Sequence, residues 1–120
     1  MVTCDTRRHM ETSSWQAQLR KGAAELVVLT ILGRGERYGL QILDETAAAG
    51  GVVSEGSLYP LLNRLERDGK LAARWSLDEG VSHPRKYYRL TSDGERLLGE
   101  MRRMWAEFRA TISSIVEREP

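Results

Sequence analysis

Residues 54–69 read SEGSLYPLLNRLERDG, and the fold turns on how that stretch is understood. Leu58, Leu61, Leu62 and Leu65 recur at three- and four-residue spacing. At about 100° per residue they fall within one narrow arc. This is the stripe of an amphipathic helix with one buried side. Against it stand Gly56 and Pro60, which cost a helix interior roughly 1 and 3 kcal/mol relative to alanine. On the same wheel both fall on the opposite arc, with Tyr59, Asn63, Arg64 and Arg67. A proline clashes with the carbonyl four residues back, here that of Gly56. A residue without a side chain at that position relieves the crowding and lets another surface approach closely. The expectation is a helix packed on its leucines, with a polar, cationic outer face.

The neighbouring segments supply the rest of the architecture. Ser13 or Ser14 can cap a short helix over WQAQLRKG, stopped near Gly22, with Trp15 and Leu19 as its buried contacts. Residues 23–32, AAELVVLTIL, read as a second, buried helix ended by GRGE. YGLQILDETAAA reads as a third, ending at Gly50-Gly51. Beyond the opening helix the period changes. KLAARWSL alternates Leu71, Ala73 and Trp75 against Ala72 and Arg74, and the aromatic-rich RKYYRLT is its natural partner across the polar loop DEGVSHP. Ser92-x-x-Glu95 has capping-box spacing and opens a last helix of about six turns.

The order is four helices, two strands and a long helix: mainly α with a small β-hairpin. Three compact helices followed by a hairpin make a winged helix-turn-helix. Residues 1–12 are expected to form a disordered extension. Residues 13–91 are expected to form the winged domain, and residues 92–120 a C-terminal dimerisation helix.

Composition narrows the classes. The chain has 120 residues, 41% hydrophobic and 29% charged, within the range of one ordinary globular domain. The apolar run from Leu26 to Leu32 is too short to span a bilayer, and the N-terminus has no apolar signal core. The single cysteine, Cys4, permits no internal disulfide, which fits a cytoplasmic location. Cys4, His9 and His83 are too few for a metal site, and no metal or other cofactor is expected. There is no paired nucleophile and base and no phosphate-cradling glycine loop after a strand, so an enzyme is not expected. The net charge of +1 conceals a local bias, with seven basic residues against four acidic ones between Pro60 and Arg89.

The outer face of the opening helix carries groups suited to duplex DNA. Arginine pairs bidentately with guanine and asparagine with adenine in the major groove, which assigns base contacts to Asn63, Arg64 and Arg67. The hydroxyls of Ser57 and Tyr59 and the helix N-terminus suit phosphates. In the hairpin, Arg85 and Lys86 are expected beside phosphates, and His83 at the tip can reach the minor groove or backbone. Of Tyr87 and Tyr88, one is expected in the core and one partly exposed. The alternative function is a winged-helix protein–protein interaction module using the same polar face without specific DNA binding.

The last helix has a stripe of Leu97, Leu98, Met101, Met104, Trp105, Phe108, Ile112 and Ile115, more apolar surface than so small a chain can cover. The expected cover is a second copy in an isologous contact, joined by Trp15 and Leu19. A homodimer in turn suits a pseudo-palindromic operator with half-sites about 34–36 Å apart.

VSEGSLYPLLNRLERDGKL followed by HPRKYYRLTSDGERLL resembles the PadR family of bacterial transcriptional regulators. The upstream LRKGAAELVVLTILGRGERYGLQI, with its Tyr38-Gly39 pair, is similar to that family's first winged-helix helices. The resemblance covers about residues 15–108. Ser54, Gly56, Ser57, Tyr59 and Pro60 match the recognition-helix signature, and Arg85, Lys86, Tyr87 and Tyr88 match the base of the wing's second strand. A single long helix after the wing resembles the short subfamily. The resemblance implies a dimeric repressor released from DNA by a ligand or stress signal. It also implies a tryptophan-lined apolar pore between subunits. Here Met101, Trp105 and Phe108, beside Met104, would receive a flat apolar small-molecule effector, although the same cluster suits a dimer core with no ligand.

Overall fold

The computed structural model describes residues 2–77 and 82–118, with side chains from Thr12 onward. Seven elements follow in order: α1 (Val2–Gly33), β1 (Arg37–Tyr38), α2 (Gly39–Ala48), α3 (Glu55–Arg67), β2 (Leu71–Ser76), β3 (Arg85–Leu90) and α4 (Ser92–Val116). The fold is mostly helical with a three-stranded antiparallel sheet in the order β1-β3-β2.

The core forms where the apolar stripes converge. Val28 and Leu29 of α1, Ile42 of α2 and Leu58 and Leu62 of α3 are fully buried, with Leu65, Leu71, Tyr88 and Leu98 closing around them. The leucine arc of α3 therefore faces inward, with Leu61 partly buried at its margin. Tyr88 is the core tyrosine of its pair, and Tyr87 is half-buried on the other sheet face.

Three expectations are corrected. The two N-terminal helices are one, and α1 runs unbroken through Gly22 to Gly33. A glycine in a helix costs about 1 kcal/mol, but extending an existing helix needs no new nucleus, and the buried half from Ala24 onward supplies one. The chain from Val2 to Thr12 continues that helix, in place of the irregular extension expected there. Trp15 and Leu19, expected as buried contacts, are 61% and 53% exposed because this half of α1 projects from the body.

The second correction concerns α4, whose N-cap is Thr91, one residue before the expected Ser92. Its hydroxyl accepts from the Gly94 amide at 3.0 Å and donates to the Gly69 carbonyl at 2.6 Å. The third is strand β1, which pairs Arg37 with Tyr88 and Tyr38 with Tyr87. Two residues cannot display a period, so their pairing has no sequence signature.

Leu97 and Met101, expected on the subunit face, are partly buried against the protomer's own core. Beyond them Met104, Trp105, Phe108, Ile112 and Ile115 remain exposed. The radius of gyration is 17.7 Å, against about 13.6 Å for a compact chain of this length. The excess comes from helices extending past their own core. Among the described residues no helix is long and apolar enough to cross a membrane.

Candidate nucleic-acid interface

Helix α3 starts at an N-cap that its own sequence provides. Ser54 accepts from the Ser57 amide at 3.3 Å, and the Ser57 hydroxyl accepts from the Ser54 amide at 3.2 Å. This reciprocal pair satisfies amides that a helix start otherwise leaves open. From that start the outer arc presents Gly56, Tyr59, Pro60, Asn63, Arg64 and Arg67 to solvent. A Cβ added at Gly56 would meet nothing within 4 Å, so nothing in the protomer packs against this position. With Pro60 supplying no N–H, the Gly56 carbonyl also lacks its usual helical donor.

The cations on this arc are partly engaged. Arg64 Nη2 lies 3.1 Å from Glu25 Oε2 of α1, and Nη1 lies 3.9 Å from Asp68. Arg67 is 3.9 Å from Asp68 and largely exposed. Between α3 and α1 lies a groove of about 740 Å³. Ser54, Ser57, Pro60, Leu61, Arg64 and Arg67 form its α3 wall, and Ala17, Arg20, Lys21, Ala24 and Glu25 its α1 wall.

Tyr59 plays a different part from that of a free surface hydroxyl. A Cβ at Gly39 would fall 2.5 Å from Tyr59 Oη and 2.7 Å from its Cε1, so the ring lies flat on the glycine at the start of α2. That packing accounts for the Tyr38-Gly39 pair. It leaves Tyr59 37% exposed beside a second, smaller cleft of about 200 Å³ lined by Tyr38, Leu40, Arg85, Lys86 and Tyr88.

At the wing, Lys86 donates to Glu66 Oε1 at 2.8 Å, tying β3 to the last turn of α3. The bonded carboxylate holds Lys86 above the ordinary lysine range. Burial pushes the neighbouring Tyr88 phenol up as well. Lys86 is therefore engaged within the protomer, as Arg64 is by Glu25. Arg85 stacks 4.4 Å over the Tyr38 ring and Arg74 4.6 Å over Tyr87, while the two tyrosines meet edge to face at 5.4 Å. Arg74 also donates to Glu36 at 2.9 and 3.0 Å, which holds that carboxyl below its usual range. His83 is exposed near the tip, and residues 78–81 of that loop lie outside the described chain.

The structure thus brings Ser54, Ser57, Tyr59, Pro60, Asn63, Arg64 and Arg67 onto one face, with Arg85 and Lys86 at the wing base. Sequence reasoning missed Arg20, Lys21, Glu25 and Glu66, and had Gly39 only from the family resemblance. The signal for the α1 residues lay in treating residues 15–32 as one helix, which Gly22 discouraged.

A sequence profile described as the transcriptional regulator PadR-like family matches residues 28–100. A transcriptional regulator of Mycobacterium tuberculosis, Rv3488, is 34% identical over 90 residues, covering 75% of this chain and 82% of that one. The crystal structure of a PadR family transcriptional regulator from Eggerthella lenta superposes with a TM-score of 0.83 at 35% identity, covering 95% of this chain and 99% of that one. A PadR-like transcriptional regulator from Bacillus cereus gives 0.76 at 30% identity, covering 85% and 99%.

Proposed function

The chain belongs to the PadR-like family of transcriptional regulators, which are not enzymes, and on that premise we propose that it is a cytoplasmic, dimeric, sequence-specific DNA-binding repressor. The observation that carries the reading is the split character of α3. Leu58, Leu62 and Leu65 are buried in the core, while Asn63, Arg64 and Arg67 stand on the opposite, solvent face. A side chain that only solubilises needs no shaped helix start. Here the outer face begins at Gly56, where no side chain blocks close approach. Asn63, Arg64 and Arg67 read base edges, and Ser57 with the α3 N-terminus takes phosphate. Arg85 and His83 reach the flanking backbone from the wing.

Dimerisation is supported by the two projecting helices. Trp15 and Leu19 on α1 and Met104, Trp105, Phe108, Ile112 and Ile115 on α4 form more exposed apolar surface than an isolated soluble domain tolerates. A two-fold contact covers these patches and sets two α3 helices for half-sites about 34–36 Å apart. Met101, Trp105 and Phe108 would then border a flat apolar effector, through ring stacking and sulfur–aromatic contacts. Such a ligand alters DNA affinity only if it binds one subunit arrangement better than the other.

Selection of bound fragments from the source genome, at stated salt, tests the reading. The expected result is a pseudo-palindromic motif whose affinity falls steeply with salt. Asn63→Ala or Arg64→Ala should lose roughly 1–3 kcal/mol of discrimination at one base pair each. Failure to enrich any motif, with salt-insensitive capture of a protein partner instead, overturns it.

A further inference from the structure

We infer that α1 is a second DNA-contacting element, with Arg20 and Lys21 holding phosphates of the strand that runs beside α3. The inference rests on the DNA-binding reading above and deepens it. Its basis is the groove between α1 and α3. Arg64, Arg67, Ser54, Ser57 and Pro60 belong at once to the groove wall and to the outer face of α3. A duplex seated on that face therefore brings part of its backbone over the groove.

The groove has the chemistry of a phosphate track. Four cations, Arg20, Lys21, Arg64 and Arg67, line it with one carboxylate, Glu25, which already accepts from Arg64 at 3.1 Å; Asp68, outside the lining, lies 3.9 Å from Arg64 and Arg67. Its remaining polar groups include the hydroxyls of Ser54 and Ser57 at the start of α3. Between the cations the walls are small, with Ala17, Ala24 and Pro60, so a sugar–phosphate strand can come close without displacing a large side chain. An acidic protein segment would face the same cations, but nothing aligns it with the face that reads bases, whereas a DNA strand is aligned by α3 itself.

The rail also stays open in the proposed dimer. At about 100° per residue, Ala17, Arg20, Lys21 and Ala24 occupy one side of α1. Trp15 and Leu19 lie roughly opposite. A second subunit seated on the tryptophan side leaves the arginine and lysine accessible to DNA. Because α1 continues unbroken into the fully buried Val28 and Leu29, the cations are held at a fixed position relative to α3.

The test is the salt dependence of binding to a fragment selected with the wild-type protein. Full-length Arg20→Ala/Lys21→Ala is expected to lower the slope of log affinity against log salt by about 0.9 for each phosphate no longer neutralised, so by roughly 1.8 in all. Preference for the selected site over a scrambled one, and the thermal melt, should be unchanged. Arg96→Ala/Arg103→Ala removes the same charge from the outer side of α4 and should leave the slope as it is. If wild type has no salt-dependent affinity for DNA, the DNA-binding reading itself fails. If wild type shows the slope and the Arg20/Lys21 variant keeps it, or if the α4 control lowers it equally, this inference alone is overturned.

Discussion

Gly94 offers the most quantitative test of how the long helix is joined to the winged body. It sits in the first turn of α4, and a Cβ built on it lands on the Lys70 carbonyl oxygen and 3.1 Å from the carbonyl carbon. The obstacle is backbone, so no rotamer change relieves it. Lys70 is held in turn, because its carbonyl accepts from the Thr91 amide at 3.0 Å. Gly94→Ala must therefore push α4 away from the β2 start. Overpacking of this kind costs about 1–3 kcal/mol. Withdrawal also weakens the Thr91 bonds to Lys70 and Gly69, at about 0.5–1.5 kcal/mol each. Helix propensity returns at most about 1 kcal/mol. The balance is a destabilisation of about 3 kcal/mol, or a fall in Tm of roughly 12 °C for a chain of this size. Urea unfolding followed by circular dichroism reads it, at one fixed protein concentration because assembly shifts apparent stability. Gly22→Ala and Gly99→Ala, where an added Cβ meets nothing within 4 Å, should instead gain up to about 1 kcal/mol. A Gly94→Ala protein as stable as wild type would refute the close approach of α4 to β2, and a destabilised Gly22→Ala would refute the unbroken α1.

Glu25→Gln releases Arg64 from its 3.1 Å partner. Because that pair is partly exposed, stability should change by less than about 1 kcal/mol, while discrimination between operator variants drops by about 1 kcal/mol; unchanged discrimination would show that Glu25 does not orient the arginine. Trp105→Ala should raise the dimer dissociation constant by about 30-fold, the equivalent of roughly 2 kcal/mol for a central interface aromatic. Sedimentation velocity checks this, and unchanged sedimentation together with unchanged binding of flat apolar dyes removes the role assigned to that ring. Alkaline pH should destabilise the fold. Lys86, through its bond to Glu66, and Tyr88, through burial, both have raised pKa values. Their protonated forms thus favour the folded state, a contribution complete below the ordinary lysine and tyrosine ranges and lost as pH rises through the raised folded-state values. Urea midpoints measured from about pH 9 to about pH 11 should fall less steeply for Lys86→Met than for wild type; parallel curves would show that the Glu66 bond contributes nothing.

Most of the fold was legible because its signals are local. The leucines of α3 repeat with the helical period and can be buried in only one orientation, so the outer face carrying Asn63, Arg64 and Arg67 follows by exclusion. The alternation through Leu71, Ala73 and Trp75 likewise marks a strand whose partner is the aromatic run after the loop. Chain order then places the hairpin beside α3. These features depend on spacing within one segment, and spacing is what a sequence records.

What escaped depends on distance across the fold. Gly22 looks like a stop because propensity is a local average, whereas α1 is held by the burial of Val28 and Leu29 about two turns further on. Lys86 has no partner in its own segment, and Glu66, twenty residues away, lies 2.8 Å from its ammonium. Arg64 likewise has a partner, Glu25, thirty-nine residues upstream. Gly39 has no local reason to be glycine; the ring of Tyr59 supplies the reason, and only packing brings the two together. The sequence by itself determined which side chains of α3 face in and which face out, because periodicity assigns faces. Tertiary structure alone decided which outward cations are engaged and which flank an open groove, because an ion pair is made by proximity in space.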